Sequence, residues 1–458
     1  SSYSSRARVY ESSGDLPAAI TDYTTALGLA PDDVETYINR GNAYLQLPDL
    51  GLAIADFTAA IERSPEAAAA YAGRGRAYEA QANPAAALAD YPKSIELAPD
   101  EPNSYVNRAN IYRLQGELAL ALDDYSIAIE LAPTNVGALL SRAALYTEQS
   151  EFELALDDYN AVLAIDAKLV SALSSRARIY EQMGNYLDAI NDYTTLITLT
   201  PNDANLHASR GNAYVALGRT TQALDDFDKA LTLDPAHGPS HAGRARIFEG
   251  NGDLEGAIVE YSAAITANPQ DASLLTSRAN VYQALGQLDA ALADYTQAIT
   301  LSPQQASAYL GRGRIYEAQS KLPEALADYT KAIELDPTSA THYNARGNAY
   351  LTQGTLDLAM AAFDQAITLD AKLVSAYINR GRAYVALGDL DTALDDLTQA
   401  VILDPKSAAA YNSRANVYRE LGDDGKALAD YTKAIGLDDS LIAAYSSRAR
   451  IYEEQEEY

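Results

Sequence analysis

Small and apolar residues return along this chain every 34 positions, from end to end, without an insertion or a deletion. With Val34–Ala67 numbered 1 to 34 as one repeat, position 8 is Ala or Gly throughout, and position 11 is Tyr except at Phe248. Position 4 is commonly Tyr, as at Tyr3, Tyr37, Tyr71 and Tyr105. Positions 4, 7, 8 and 11 follow i, i+3, i+4, i+7 spacing and share one face of a helix. Position 20 is Ala from Ala19 to Ala427, position 24 is aromatic except at Leu397, and position 27 is mostly Ala, which gives a second helix the same stripe. Gly at position 15, as in Gly14, Gly116 and Gly184, suits the left-handed residue that closes a helix. Pro at position 32, from Pro31 to Pro405, stops the second helix and redirects the chain. Each repeat therefore predicts helix, tight turn, helix and proline corner. The repeats start at 34, 68, 102, 136, 170, 204, 238, 272, 306, 340, 374, 408 and 442, giving thirteen repeats and the first half of a fourteenth.

A period of this size marks one supersecondary unit stacked on itself, so the expected fold is all-α, a single continuous solenoid over residues 1–458. The pattern resembles the tetratricopeptide repeat family, as Tyr37, Gly41, Tyr44, Ala53, Phe57, Ala60 and Pro65 illustrate, and the resemblance covers the whole chain. It implies a right-handed superhelix of helix-turn-helix repeats with the first helix of each pair lining the concave side. It also implies protein–protein interaction and scaffolding, with no catalysis and no cofactor. Two departures stand out. The family usually carries Trp at position 4 and Leu at position 7, whereas this chain has no Trp and places Arg at position 7 in all fourteen repeats, from Arg6 to Arg448.

An inward-facing charge needs a partner. Position 23, on the inward stripe of the second helix, supplies one: Asp22, Asp56, Asp90, Asp124, Asp158, Asp192, Asp226, Glu260, Asp294, Asp328, Asp396 and Asp430, interrupted only by Ala362. The matched columns predict a ladder of structural ion pairs, among them Arg40 with Asp56, Arg74 with Asp90 and Arg210 with Asp226. The planar guanidinium fork suits such pairing. The matched acids make an arginine row that binds an external acid the weaker reading.

Position 9 alternates Arg and Asn: Arg8, Asn42, Arg76, Asn110, then Ala144, then Arg178, Asn212, Arg246, Asn280, Arg314, Asn348, Arg382, Asn416 and Arg450. It lies off the core stripe, and the resemblance places it in the groove, so these residues are the candidate groove contacts. Repeats with Arg at 9 mostly carry Glu at 12, as at Glu11, Glu79, Glu181, Glu249, Glu317 and Glu453; i, i+3 spacing lets the two meet and neutralise part of the groove. Family members that clamp a peptide C-terminal carboxylate pair Asn at 9 with Lys at 5. Position 5 here is Ser4, Ile38, Ala72 or Val106 and never Lys, so that clamp is incomplete.

Composition narrows the partners. A formal net charge of −29 argues against nucleic acid and anionic membrane surfaces and favours a protein partner. No apolar run approaches the length of a membrane span. The absence of cysteine excludes disulfides, thiolate catalysis and cysteine–metal sites. Of the 33 tyrosines, 31 occupy positions 4, 11 and 24, which reads as core packing rather than a ligand cage. His207 and His241 share position 4 in adjacent repeats, with His237 nearby; replacement of the position-4 aromatic explains them better than a metal site does. Position 25 is Ser or Thr in nine repeats, a row that could carry an O-glycan or phosphate but reads first as exposed helix surface.

The sequence Ser2–Arg8 at the start nearly recurs in Ala444–Arg450, and neither end shows a polar capping helix. The expectation is a segment of a longer chain, or a scaffold whose copies stack end to end into an extended assembly. The acidic surface, missing cysteine and tyrosine-rich core suit an extracellular or cell-surface bacterial location better than the cytoplasm. The alternative function is an adaptor that binds a peptide or protein in its concave groove.

Overall fold

The computed structural model describes residues 2–455, and among these all regular structure is α-helical. Twenty-seven helices follow one another in pairs, for example Val34–Gln46 with Leu50–Arg63 and Ala408–Glu420 with Asp424–Leu437, before a last first-type helix, Ile442–Glu454. Helix starts and stops recur at the expected repeat positions. The second helix expected to open at Tyr458 lies outside the described residues. The chain divides into two compact portions, Ser1–Ala223 and Leu224–Tyr458. The sequence period crosses that division without a break.

The tight turn has one requirement, and every repeat meets it. All thirteen described residues at position 15 take a positive φ. Nine are Gly, with φ between 69° and 82°. The others are Pro48, Ala82, Ser150 and Ser320, and the last three adopt 56°, 61° and 61° without the freedom glycine has. The corner after the second helix is equally uniform. Ala30, which precedes Pro31, has φ −138° and ψ 80°, the extended geometry proline imposes on its neighbour. Where Pro is replaced, by Ala167, Ala371 and Asp439, an Asp stands just before it. The carboxylates of Asp166, Asp370 and Asp438 accept the amides of Lys168, Lys372 and Ser440 at 2.9, 2.9 and 3.0 Å and hold the same corner.

The core is a stack of small residues with an aromatic wedge in each repeat. Alanines at positions 8, 20 and 27, such as Ala109, Ala53 and Ala60, are fully buried, and the ring at position 24 is buried against its neighbours, as Phe57 and Tyr91 show. A Cβ added at Gly73 would stand 2.4 Å from Phe57, and one at Gly75 would stand 2.8 Å from Tyr91. The first and second helices of a pair thus close tightly on one ring, and the following first helix closes on it from the other side. This packing leaves positions 2, 5, 9 and 13 of the first helix off the core.

Candidate functional site

Two sets of side chains were singled out by the sequence, and the structure puts them in different places. The position-7 arginines lie between helices. Arg40 donates from Nε and Nη2 to the two carboxylate oxygens of Asp56 at 2.8 and 2.7 Å, and Arg74 does the same to Asp90 at 2.8 Å in both bonds. The fork-to-carboxylate geometry recurs at Arg6–Asp22, Arg108–Asp124, Arg142–Asp158 and Arg176–Asp192 in the first portion. In the second portion it recurs at Arg278–Asp294, Arg312–Asp328, Arg380–Asp396 and Arg414–Asp430. The acids are buried; most of the arginine side chains keep about a fifth of their surface exposed, as Arg74 does at 19%. The pairs lie within a repeat, between its own two helices. Of the pair Arg210 and Asp226, which falls across the division of the chain, Arg210 donates to Thr194 Oγ1 at 3.0 Å and Asp226 is buried. Aromatic rings at positions 4 and 11 flank the guanidinium: Arg40 lies 5.9 Å from the centroids of both Tyr37 and Tyr44.

The arginine has a second role that the sequence reading passed over. Its remaining nitrogen, Nη1, reaches back to position 25 of the preceding repeat: Arg40 to Thr24 at 2.9 Å, Arg74 to Thr58 at 3.2 Å, Arg142 to Ser126 at 3.0 Å, Arg176 to Asn160 at 2.6 Å and Arg380 to Asp364 at 2.7 Å. Position 25 therefore helps tie one repeat to the next, and is not merely exposed surface. The signal was available: every residue in that column carries a side-chain oxygen except Pro92.

The position-9 residues stand apart from this network. Arg8, Arg76, Arg178, Arg246, Arg314, Arg382 and Arg450 are exposed; Asn42, Asn110, Asn212, Asn348 and Asn416 are half-buried, and Asn280 is exposed. Neighbouring first helices are linked along this face, with Arg76 donating to Asn42 Oδ1 at 2.9 Å and Asn348 donating to Glu317 Oε1 at 2.6 Å. The expected Arg–Glu neutralisation takes another form. Glu11, Glu79, Glu181, Glu249 and Glu317 accept the hydroxyl of the position-24 tyrosine of their own repeat, Tyr23, Tyr91, Tyr193, Tyr261 and Tyr329, at 2.6 to 2.9 Å. In repeats with Asn at position 9 the hydroxyl turns there instead, from Tyr125 to Asn110 and from Tyr431 to Asn416, both at 2.6 Å. The sequence carries this rule as well. Position 12 is polar in every repeat with Tyr at 24, and is Leu or Val wherever 24 is Phe or Leu, as in Leu45 with Phe57 and Val385 with Leu397. Burial, reinforced by the adjacent Glu, pushes the Tyr23, Tyr91, Tyr193, Tyr261 and Tyr329 hydroxyls well above their ordinary pKa, and burial pushes Tyr295 up to about 12.

Clefts open on the position-9 face, and two of them, one in each portion, share a make-up. The first, of about 700 Å³, is lined by Asn42 and Arg76 together with Ile38, Ala72, Asn103 and Asn107. The second, of about 770 Å³, is lined by Arg382 and Asn416 together with Ile378, Asn379, Asn412 and Ser413. Each joins one Arg and one Asn of the alternating column to an isoleucine at position 5. The Oδ1 of Asn412 is buried in the second cleft without a hydrogen-bond partner. His241 is committed to the protein: its Nδ1 lies 2.6 Å from Glu260 Oε2, and its Nε2 lies 3.1 Å from the carbonyl of Pro235. Among the described residues no group of three or more His, Cys, Asp or Glu side chains is placed to hold a metal ion, and no helix is long and apolar enough to cross a membrane.

Family models agree with this anatomy. Models described as tetratricopeptide repeat match residues 5–68, 50–102, 102–135, 208–272 and 378–442, and one described as TPR repeat matches 177–218, 279–320, 313–354 and 347–388. No curated protein sequence matches the chain. Among solved structures, the chain is similar to a tetratricopeptide repeat protein from Parabacteroides merdae at 25% identity, covering 54% of this chain and 97% of that one, with a TM-score of 0.45. It is also similar to the APC/C hetero-tetramer Cut9–Hcn1 at 15% identity, 97% and 95% coverage and a TM-score of 0.48, and to yeast Tom70 at 18% identity, 99% and 96% coverage and a TM-score of 0.41.

Proposed function

The chain belongs to the tetratricopeptide repeat family, and from that premise we propose that it is a non-catalytic scaffold that binds an extended segment of a partner protein along the position-9 face of its first helices. The observation that carries this reading is the shared make-up of the two clefts. Asn42 beside Arg76, and Arg382 beside Asn416, place an amide that can pair with a peptide backbone next to a cation that can take an acidic side chain, over an apolar floor at Ile38 or Ile378. Most position-7 arginines are engaged by internal acids, whereas the position-9 arginines are exposed on the face of the first helices.

The test uses the intact chain to select from a random peptide library. Selected peptides should lose at least tenfold in affinity on the double change Asn42→Ala with Arg76→Ala, or Arg382→Ala with Asn416→Ala, while helix content holds. Peptides that bind both double variants as well as the parent protein would overturn the reading. Electron micrographs of the purified protein examine the other form of scaffold: ordered filaments, together with a library that yields no binder, would favour end-to-end stacking.

A further inference from the structure

The Arg–Asp ladder has one gap, and the gap has a shape. In repeat 11 the acidic column is broken by Ala362, so that Arg346 faces a methyl group where each neighbouring arginine faces a carboxylate. Ala362 is buried at 4% exposure, and the Nε of Arg346 is buried with no hydrogen-bond partner. The aromatic setting is intact, with the guanidinium 5.6 Å from the Tyr343 centroid. No adjacent carboxylate is free to replace the missing one. Asp328 is held by Arg312 through two bonds of 2.8 Å, and Asp396 by Arg380 at 2.8 and 2.7 Å. Asp364, the one acid close in sequence to Ala362, accepts from Arg380 Nη1 at 2.7 Å. Arg244 also has a partnerless Nε, but its two terminal nitrogens reach Asp228 and Glu260 at 3.1 Å, so that arginine keeps its acids.

We propose that the seam beside Arg346 binds a small free carboxylate, of the size of formate, in the space that an Asp carboxylate occupies in the other repeats. An unsatisfied buried guanidinium N–H is costly, and a planar two-oxygen anion meets the fork as the aspartates do. The limit on size comes from the same column. The matching acids Asp328 and Asp396 have side chains only 8% and 9% exposed, so the seam admits the carboxylate itself and little attached to it. A tetrahedral phosphate does not match the place that a flat carboxylate fills in the other repeats, and a halide satisfies one N–H direction rather than two.

The experiment compares thermal unfolding of the intact chain in sodium formate and in sodium chloride at equal concentrations. Formate should raise the midpoint of the parent protein above its chloride value, and the rise should saturate. Ala362→Asp should raise the midpoint in chloride and remove the formate-specific increment, because the site is then filled from within. Asp396→Ala, which copies the gap into repeat 12, should lower the midpoint in chloride and enlarge the formate-specific increment. A parent protein with no formate-specific rise, or an Ala362→Asp protein that keeps the full rise, would overturn the proposal. The Ala362→Asp comparison stands even if Asp396→Ala does not fold, since that change restores the residue the other repeats use.

Discussion

Arg74 and Asp90 meet through two parallel hydrogen bonds of 2.8 Å, joining the first helix of repeat 3 to its second, while Arg74 Nη1 reaches Thr58 on the repeat before at 3.2 Å. One guanidinium thus holds both the interface within a repeat and the interface between repeats. Leucine in place of this arginine would have no means of choosing a register. Desolvation offsets much of the attraction in such pairs, so their net stabilisation over leucine is small, but an unpaired member is costly. Asp90→Ala should therefore destabilise the protein by about 3 kcal/mol, whereas Asp90→Ala combined with Arg74→Leu should recover most of that loss. Urea unfolding of the three proteins measures this. A double variant no more stable than Asp90→Ala would mean that the pair is not the unit that matters.

The turn at position 15 gives a prediction of opposite sign. Ser150 and Ser320 hold φ at 61°, a conformation that costs an L-residue roughly 1–2 kcal/mol and glycine almost nothing. Glycine also loses more freedom on folding, so Ser150→Gly and Ser320→Gly should each stabilise by about 0.5–1 kcal/mol. The two sites lie five repeats apart in the sequence, and their gains should add. Gly184→Ala, at φ 77°, is the matching control and should destabilise. Unchanged stability in both serine variants would show that the loops relax around the strained residue.

The helices, the turns and the core were legible because each repeats thirteen times, and repetition averages away the ambiguity of a single short stripe. The partner of most position-7 arginines was legible for the same reason: a charge at an inward position demanded an opposite column, and one was there. What escaped were bonds that cross between columns with mixed chemistry. Thr24, Asn160 and Asp364 look unrelated until they are read as oxygen acceptors for Arg40, Arg176 and Arg380. Glu79 was matched with Arg76 because they are one turn apart, but the hydroxyl of Tyr91 reaches it at 2.9 Å from the other helix. Helical spacing sees neighbours on one helix and is blind to the facing one.

The buried tyrosines make stability fall at high pH. The hydroxyls of Tyr23, Tyr91, Tyr193, Tyr261 and Tyr329 ionise in the folded state only well above the ordinary value of 10.0. A raised folded-state pKa contributes stability that is fully present below pH 10 and is lost as pH rises above it toward the folded value, because the unfolded chain releases the protons first. Unfolding free energy should be flat with respect to these groups up to about pH 9 and should then decline, with part of the tyrosinate absorbance appearing only as helix content is lost. Tyr91→Phe should make the decline less steep. Complete tyrosinate formation in a chain that keeps its full helix content would contradict the raised values.

The Nη1 contacts at position 25 supply the last prediction. Thr58 offers Arg74 a neutral oxygen at 3.2 Å, while Asp364 offers Arg380 a carboxylate oxygen at 2.7 Å in the equivalent place. Thr58→Asp should therefore turn a long neutral bond into a short charge-assisted one and stabilise the protein by about 0.5–1 kcal/mol, the scale of a solvent-accessible ion pair. The new carboxylate stands near Asp90, and repulsion between the two works against the gain; in repeat 12 one arginine already carries both kinds of acid, Asp396 and Asp364, so its charge suffices for two. Because the equivalent Arg380–Asp364 contact is exposed, the contribution should fade as ionic strength approaches about 1 M, where the screening length shrinks to about 3 Å. Arg74→Leu should abolish the gain at any salt concentration. A Thr58→Asp protein less stable than the parent at low salt would show that Asp90 already exhausts what Arg74 can hold, and that repeat 12 owes its second acid to some other contact.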